Sequence, residues 1–147
     1  VRTVSFERAR AGAAESAALA IARDERVIRI RNLLSLGGGP VIVDDLTLPA
    51  ALFPGLTERI FAARDNTIYH LFQSRYGINV LRTDERLRAV LAGGAAAALL
   101  GLPAGSPLLE IRRVALTFRD RPVELRVSLV NTQAHAYHNT FGKGEGL

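Results

Sequence analysis

Two segments of the sequence decide the fold: residues 27–34, which read VIRIRNLL, and residues 108–116, which read LLEIRRVAL. The first is rich in β-branched residues and alternates polar with apolar side chains, and the second repeats that pattern, which is typical of β-strands. The first strand continues through a triple-glycine turn into a returning strand at residues 40–48. The second continues through a turn at residues 119–121 into a returning strand at residues 122–130. The sequence therefore predicts two β-hairpins.

The two hairpins belong to an internal repeat. Arg31 and Pro40 match Arg113 and Pro122 at one constant offset along the chain. This arrangement predicts an α+β domain with an antiparallel sheet, helices on one face, and a pseudo-symmetric strand-helix-strand-strand repeat. Each hairpin follows a short alternating strand and an alanine-rich helix, predicted at residues 3–9 and 12–21 in the first copy and at 84–91 and 94–102 in the second.

A distinct insert separates the two copies of the repeat. It begins with a loop at residues 52–56 that contains a Pro-Gly turn signal. Residues 67–76 then carry apolar side chains at helical spacing and predict a helix. We expect Asp65 or Asn66 to be the N-cap of this helix and Gly77 to end it.

Composition excludes several functional classes. The 147 residues are 48% hydrophobic and 22% charged, which indicates one globular domain with no apolar stretch long enough for a membrane span. Cysteine is absent, so disulfides and thiolate metal sites are excluded, and His135 and His138 lack a third ligand nearby. We therefore expect no metal and no cofactor. The net charge of +5 comes from arginines dispersed along strands, so DNA binding by this segment itself is not expected.

A candidate site combines one sheet face with the start of the insert helix. Alternation predicts that Arg31, Asp44 and Glu124 line one open face of the sheet, although charged residues on a solvated face would produce the same pattern. Thr67 and Tyr69 lie in the first turn of the insert helix, where unpaired N–H groups attract anions. Helix-start preference and packing are the alternative explanations for these two residues. An arginine opposite this helix end would bind a carboxylate or a phosphate.

Five short motifs stand in a defined order along the chain: PV at 40–41, LFPGL at 52–56, TIYHL at 67–71, GSPLL at 105–109 and RPVE at 121–124. In this order they resemble the UTRA domain, the C-terminal effector-binding domain of HutC-type regulators in the GntR family of bacterial transcription factors. The resemblance extends over residues 3–137. It implies a chorismate-lyase-like fold, a small-molecule pocket, a homodimer that acts as a repressor, and cytoplasmic localisation.

The resemblance also implies a domain organisation. Residues 1–140 are expected to form the effector-binding domain, and the Gly-rich residues 141–147 a flexible tail. A winged helix-turn-helix domain that contacts operator DNA normally lies upstream and is absent from this chain. The start at Val1 and the absence of methionine agree with a domain taken from a longer protein.

Family positions imply roles for five residues. Arg31 matches the arginine that binds the effector anion, Thr67 the hydroxyl residue at the start of the insert helix, and Tyr69 the aromatic residue that follows it. Glu124 matches a glutamate that contacts effector hydroxyls or amines, and Asp44 stands where a glutamate is usual. These five residues form the predicted effector-binding site.

Three functions remain open from the sequence. A sensor for a small anionic metabolite is the leading hypothesis, and the domain is then not an enzyme. Leu33 stands where the family often has a second basic residue, which favours a carboxylate over a phosphate as the anion. The alternatives are a chorismate-lyase-like enzyme, whose chemistry fold alone would not establish, and a dimerisation domain without a ligand.

Overall fold

The computed structural model of the chain describes residues 1–140. Within them it contains six strands and four α-helices, joined by short loops and two single 3₁₀ turns. In chain order these are β1 (Arg2–Arg10), α1 (Ala13–Leu19), β2 (Arg26–Leu36), β3 (Gly39–Pro49), α2 (Glu58–Ala62), α3 (Ile68–Tyr76), β4 (Arg82–Leu91), α4 (Gly94–Leu100), β5 (Pro107–Leu116) and β6 (Pro122–Val130). The predicted tail at residues 141–147 lies outside the described residues.

All six strands form one antiparallel sheet in the order β1-β2-β3-β6-β5-β4. The two repeats, β1-α1-β2-β3 and β4-α4-β5-β6, meet where β3 pairs with β6 at the centre of the sheet. The predicted fold class and the strand-helix-strand-strand repeat are confirmed. None of the helices in residues 1–140 has the length and apolar character needed to cross a bilayer.

The pairing register decides which side chains share a face of the sheet. Arg31 of β2 lies opposite Asp45 of β3, and its neighbour Asn32 lies opposite Asp44. Successive side chains of a strand point to opposite faces, so Arg31 and Asp44 lie on different faces. Asp44 pairs with Ser128, which places Glu124 on the same face as Asp44. We call the face of Arg31 the helix face and the face of Asp44 and Glu124 the insert face.

The helix face carries the two repeat helices. Leu19 of α1 packs in one core cluster with Val27 and Leu125. Leu100 of α4 packs in another cluster with Leu33. Both helices are short and alanine-rich, so their stability comes from this apolar contact with the sheet more than from intrinsic helix formation.

The insert packs against the opposite face and forms the largest aromatic cluster. Phe53, Phe61 and Phe72 are fully buried together with Ile30 and Leu46 of the sheet. The ring centroids of Phe53 and Phe72 are 4.7 Å apart. Phe61 belongs to α2, a five-residue helix that the sequence analysis did not predict. This cluster fixes the position of α3 over the sheet.

The N-cap of α3 differs from the prediction. Thr67, and neither Asp65 nor Asn66, is the cap, because its Oγ1 accepts a hydrogen bond of 3.1 Å from the backbone N–H of His70. The predicted end of the helix is confirmed: Gly77 has a φ of 65° and closes α3 in the left-handed conformation that favours glycine. The first turn of α3 lies over the sheet, since the hydroxyl of Tyr69 hydrogen-bonds to Glu124 of β6.

Candidate functional site

A cleft of about 560 Å³ lies on the insert face between the sheet and the first turn of α3. We call it the α3 cavity. Its size falls in the range of small-molecule sites. The polar side chains that line it come from both repeats and from the insert, namely Thr3, Asn32, Asp44, Arg64, Asp65, Asn66, Thr67 and Arg126.

Arg126 of β6 forms one wall of the α3 cavity and is held by a buried carboxylate. Its Nε and Nη2 donate to the two oxygens of Glu124 at 3.1 and 2.9 Å. Glu124 is completely buried and also accepts a hydrogen bond of 3.1 Å from the hydroxyl of Tyr69. Burial lowers the pKa of Arg126, but Glu124 outweighs this effect, so the pKa is raised and the cation is retained.

Tyr69 connects the insert helix to this pair. Its ring lies beneath the guanidinium of Arg126, 5.3 Å from ring centroid to Cζ, within the range of a cation–π contact. Burial and then the charge of Glu124 raise the pKa of the Tyr69 hydroxyl, so the phenol stays protonated and donates to the carboxylate. The first turn of α3 is thereby tied to the centre of the sheet.

Arg64, which follows α2, places a second cation at the α3 cavity. Its Nη1 donates to the carbonyl oxygen of Phe61 at 2.7 Å, and its guanidinium stacks 4.3 Å from the centroid of the Phe61 ring. Burial and the nearby charge of Arg126 lower the pKa of Arg64. Within residues 1–140 no carboxylate lies within ion-pair distance of this guanidinium. An anion in the cavity would relieve the repulsion between the two arginines.

Asn32 contributes a buried donor that has no hydrogen-bond partner within residues 1–140. The residue is 1% exposed, and its Oδ1 accepts a hydrogen bond of 3.0 Å from the hydroxyl of Thr3. Its Nδ2 has no acceptor within the described part of the chain. A buried donor left unpaired costs about 1–3 kcal/mol. Asn32 is also among the residues that line the α3 cavity, so this unpaired amide belongs to a residue of the cavity wall.

The first turn of α3 completes the polar lining. Thr67 and Ile68 line the cavity. The side chain of Thr67 satisfies the N–H of His70, while the N–H groups of Ile68 and Tyr69 precede the first intrahelical bond. These groups carry the positive end of the helix dipole. The cavity therefore gathers two guanidinium groups, a helix N-terminus and an amide donor that is unpaired within residues 1–140, together with the carboxylates of Asp44 and Asp65.

Four of the five predicted site residues meet on the insert face. Thr67 and Asp44 line the α3 cavity, and Tyr69 hydrogen-bonds to Glu124 directly beneath Arg126. Asp44 is itself buried and accepts a hydrogen bond of 2.5 Å from the hydroxyl of Ser128. The binding roles of these residues remain predictions.

Arg31 does not join them, and its predicted convergence with the helix N-terminus is wrong. It lies on the helix face, where Nε and Nη2 donate to the two oxygens of Asp45 at 2.6 and 2.8 Å. The prediction failed because it placed Arg31 on the face of Asp44, whereas the register pairs Arg31 with Asp45. A shift of one residue in a strand moves a side chain to the other face.

Sequence reasoning missed three residues of the site. Arg126 stands two positions after Glu124 on one strand, so alternation already places the two on the same face. Asn32 becomes a site residue only through the register that sets it opposite Asp44. Arg64 lies in the loop between α2 and α3, where no periodic pattern indicates the direction of a side chain.

Metal binding has no support in the described part of the chain. Residues 1–140 contain no group of three or more histidine, aspartate or glutamate side chains placed to hold a metal ion. The hydroxyl of Thr140 lies 3.3 Å from Nε2 of His138. His135 and His138 are not part of any three-residue group of possible metal ligands in the described residues.

Comparison with known proteins identifies the domain. The model of the UTRA domain family matches residues 1–136. Among curated proteins, the chain is 32% identical to the HTH-type transcriptional repressor PhnF of Mycolicibacterium smegmatis over 103 residues, which are 70% of this chain and 41% of that protein. It is 28% identical to the HTH-type transcriptional regulator Rv0792c of Mycobacterium tuberculosis, over 82% of this chain and 47% of that protein. The chain thus spans less than half the length of these relatives.

Solved structures give the same result. The ligand-binding domain of a protein assigned to the GntR family of transcriptional regulators, from Bordetella bronchiseptica, is 40% identical and superposes with a TM-score of 0.91, over 96% of this chain and 90% of that one. The effector domain of PhnF from Mycobacterium smegmatis is 25% identical, with a TM-score of 0.84 over 96% of this chain and 85% of that one. The chain therefore belongs to the UTRA domain family and is an effector-binding domain of a GntR-family transcriptional regulator.

Proposed function

We propose that this domain senses a small anionic metabolite, which binds in the α3 cavity and thereby modulates DNA binding by an N-terminal domain. The observation that carries the proposal is a set of cationic and donor groups at one place that, within residues 1–140, lack a carboxylate or another acceptor, apart from the bond between Arg64 and the carbonyl oxygen of Phe61. These are the guanidinium of Arg64, the Nδ2 of Asn32 and the first N–H groups of α3. Only an anion or a strongly polar acceptor would satisfy all three.

The two arginines have different tasks in this proposal. Arg126 is neutralised by Glu124 and positioned by Tyr69, so it supplies a fixed wall for the ligand. Arg64 has no such counterion within residues 1–140 and supplies the unbalanced charge. Because Arg64 follows α2 and Arg126 lies in the sheet, a bound anion would tie the insert to the sheet.

That link offers a route to regulation. A ligand shifts a conformational equilibrium only by its difference in affinity for the two states. If the second state moves the insert away from the sheet, the anion binds only the state in which Arg64 and Arg126 converge. A tenfold preference is worth about 1.4 kcal/mol, which is the lower range of allosteric coupling.

Several partners follow from this proposal. The relatives bear the names of helix-turn-helix regulators, so an N-terminal DNA-binding domain and an operator sequence are expected in the whole protein. A homodimer would match the two-fold symmetry of such operators. The domain then acts in the cytoplasm and is not an enzyme.

The test is a thermal-shift screen of small carboxylates and phosphate monoesters. A ligand at one hundred times its Kd adds about 2.7 kcal/mol to the free energy of unfolding. For any ligand found, Arg64→Met should weaken binding at least about tenfold, because it removes the charge and keeps an aliphatic chain on Phe61.

Arg31→Met is the matched control, since it removes one guanidinium from the opposite face of the sheet. It should leave ligand affinity unchanged. Loss of binding in Arg31→Met with full binding in Arg64→Met would refute the site. A screen in which no anion stabilises the domain would favour a dimerisation domain without a ligand.

A further inference from the structure

A second cavity of about 390 Å³ lies on the same insert face, next to the α3 cavity. We call it the C-terminal cavity, because His135, Ala136, Tyr137 and His138 form one of its walls. The strands supply a mainly apolar lining that includes Leu34, Leu36, Ile42, Ile111 and Val130. The strands also contribute Asp44, Arg113, Arg126 and Ser128, but apolar side chains form a larger part of this lining than of the α3 cavity.

The segment that closes this cavity is anchored to the sheet. The hydroxyl of Tyr137 donates a hydrogen bond of 2.9 Å to Oε2 of Glu85. The other oxygen of Glu85 accepts from Nε of Arg113 at 2.7 Å. Burial lowers the pKa of Arg113, but contacts with Tyr69 and Glu85 outweigh it, so the pKa is raised and the cation persists. The C-terminal wall of the cavity is therefore attached to the sheet by the hydrogen bonds that Glu85 forms with Tyr137 and Arg113.

The two cavities adjoin each other. They share three lining residues, Leu34, Asp44 and Arg126. At this junction Arg126 carries its own counterions, because Glu124 binds it and the charge of Asp44 acts on it as well. The charge of Arg126 at the junction is thus balanced by protein groups. The α3 cavity on one side contains Arg64, and the mainly apolar C-terminal cavity on the other contains Arg113, which is paired with Glu85.

We propose that the effector is an elongated acid whose anionic group occupies the α3 cavity and whose apolar tail passes Arg126 into the C-terminal cavity. This inference rests on the proposed function and specifies the chemical class of its ligand. A short anion would satisfy Arg64 and Asn32 but would leave the apolar surface around Ile111 in contact with water. One ligand with a polar head and an apolar tail satisfies both ends of the cleft.

A homologous series of carboxylates tests this inference. Acetate, butanoate, hexanoate and octanoate are titrated into the 147-residue chain by calorimetry. Each methylene that enters the C-terminal cavity should tighten Kd about threefold to fourfold. Octan-1-ol, which has the same tail without the anion, should bind at least about tenfold more weakly than octanoate.

Filling the C-terminal cavity separates tail binding from anion binding. Ile111→Phe should abolish the gain from butanoate to octanoate while leaving the affinity for butanoate unchanged. Leu87→Phe is the matched control, because Leu87 is the cross-strand partner of Ile111, is exposed, and does not line the cavity. It should retain the full dependence on chain length, and circular dichroism should show that both variants fold.

The outcomes distinguish the two proposals. Binding of short acids that depends on Arg64 but shows no dependence on chain length overturns the elongated ligand and leaves the anion site in place. A chain-length dependence that survives Ile111→Phe, or octan-1-ol binding as tightly as octanoate, also overturns it. If no carboxylate or phosphate monoester binds, the proposed function and this inference fail together.

Discussion

The two faces of the sheet use charged side chains in different ways. On the helix face, Arg29 and Arg31 each form a two-pronged ion pair, with Glu15 and with Asp45. On the insert face, Arg126 is paired in the same manner with Glu124, but Arg64 beside it has no carboxylate within ion-pair distance in residues 1–140. The paired arginines of the helix face link secondary-structure elements to one another. An arginine that lacks a carboxylate among the described residues, such as Arg64, indicates where an anionic ligand would bind.

Glu15 is the clearest example of a charged side chain that stabilises the fold. Its carboxylate binds Arg29 of β2 at 2.6 Å, Thr47 of β3 at 3.1 Å and the backbone N–H of Gly12 at 3.0 Å. These contacts fasten α1 to two strands of the sheet. Because both of its carboxylate oxygens are hydrogen-bonded, Glu15 has a structural role.

The largest effect is expected from breaking the buried pair on the insert face. Glu124→Ala leaves the guanidinium of Arg126, whose side chain is 15% exposed, without its main counterion. Removing one partner of a buried ion pair costs about 3–5 kcal/mol. Urea unfolding monitored by circular dichroism measures the loss.

A double variant distinguishes two contributions to the free energy of unfolding, namely the cost of burying an unpaired charge and the stabilisation that the ion pair itself provides. Replacing both partners, Glu124→Leu with Arg126→Met, should recover most of the stability, since an apolar pair often substitutes well for a buried ion pair. It should also abolish anion binding. If the double variant is as unstable as Glu124→Ala, the pair itself stabilises the fold.

An intermediate effect concerns pH and the helix face. The hydrogen bond from Arg29 lowers the pKa of Glu15 from 4.5 to about 2, burial opposes this shift, and Gly12 and Thr47 support it. Because the folded pKa lies below the unfolded one, the stabilisation is complete above about pH 5 and is lost as the pH falls through about 2. Since Arg29 is 40% exposed and solvent screens the pair, we expect a loss of about 1–2 kcal/mol.

Glu15→Gln provides the comparison for this pH effect. The variant should be less stable than the wild type at pH 7 and should converge with it only below about pH 2, where Glu15 becomes protonated in the folded domain as well. Unfolding by urea at a series of pH values gives the two curves. Parallel curves over this range would show that Glu15 does not have a depressed pKa in the folded domain.

The smallest effect concerns the two threonine caps of the insert. Thr67→Ala removes the side-chain bond to the N–H of His70 and should cost about 1 kcal/mol in the free energy of unfolding. It should also weaken anion binding, because the first turn of α3 loses its anchor. Thr57→Ala removes the corresponding cap of α2, which bonds to Ile60, and Thr57 does not line the α3 cavity. Equal loss of affinity in both variants would argue against a specific role for the α3 terminus.

Much of the fold could be predicted because local patterns carry it. Strand alternation and the match of Arg31 with Arg113 indicated both hairpins and the repeat, and Gly77 marked the end of α3. The five residues of α2 were missed because a helix of little more than one turn has almost no periodic signal. The cap of α3 was misplaced by one or two residues, a common error at helix ends.

Only some of the residues of the candidate site could be predicted from the sequence. Glu124, on one face of the sheet, and Tyr69, in the first turn of the insert helix, were predicted to belong to one site, and the structure joins them by a hydrogen bond of 3.1 Å. Arg31 was assigned to that face and lies on the other, because the partner of Arg31 depends on the length and geometry of the turn between β2 and β3. Arg64 lies in a loop, and its direction depends on its contact with Phe61.

By itself the sequence determined the strand-helix-strand-strand repeat, the insert between its copies and the family resemblance, because periodicity and turn residues act over a few neighbouring positions. Only the tertiary structure decided which guanidinium faces the cavity, since hydrogen bonding between β2 and β3 set Arg31 against Asp45 and the aromatic packing of the insert carried Arg64 towards Arg126. Charge balance between residues far apart in the chain is a property of the folded surface, and no local pattern encodes it.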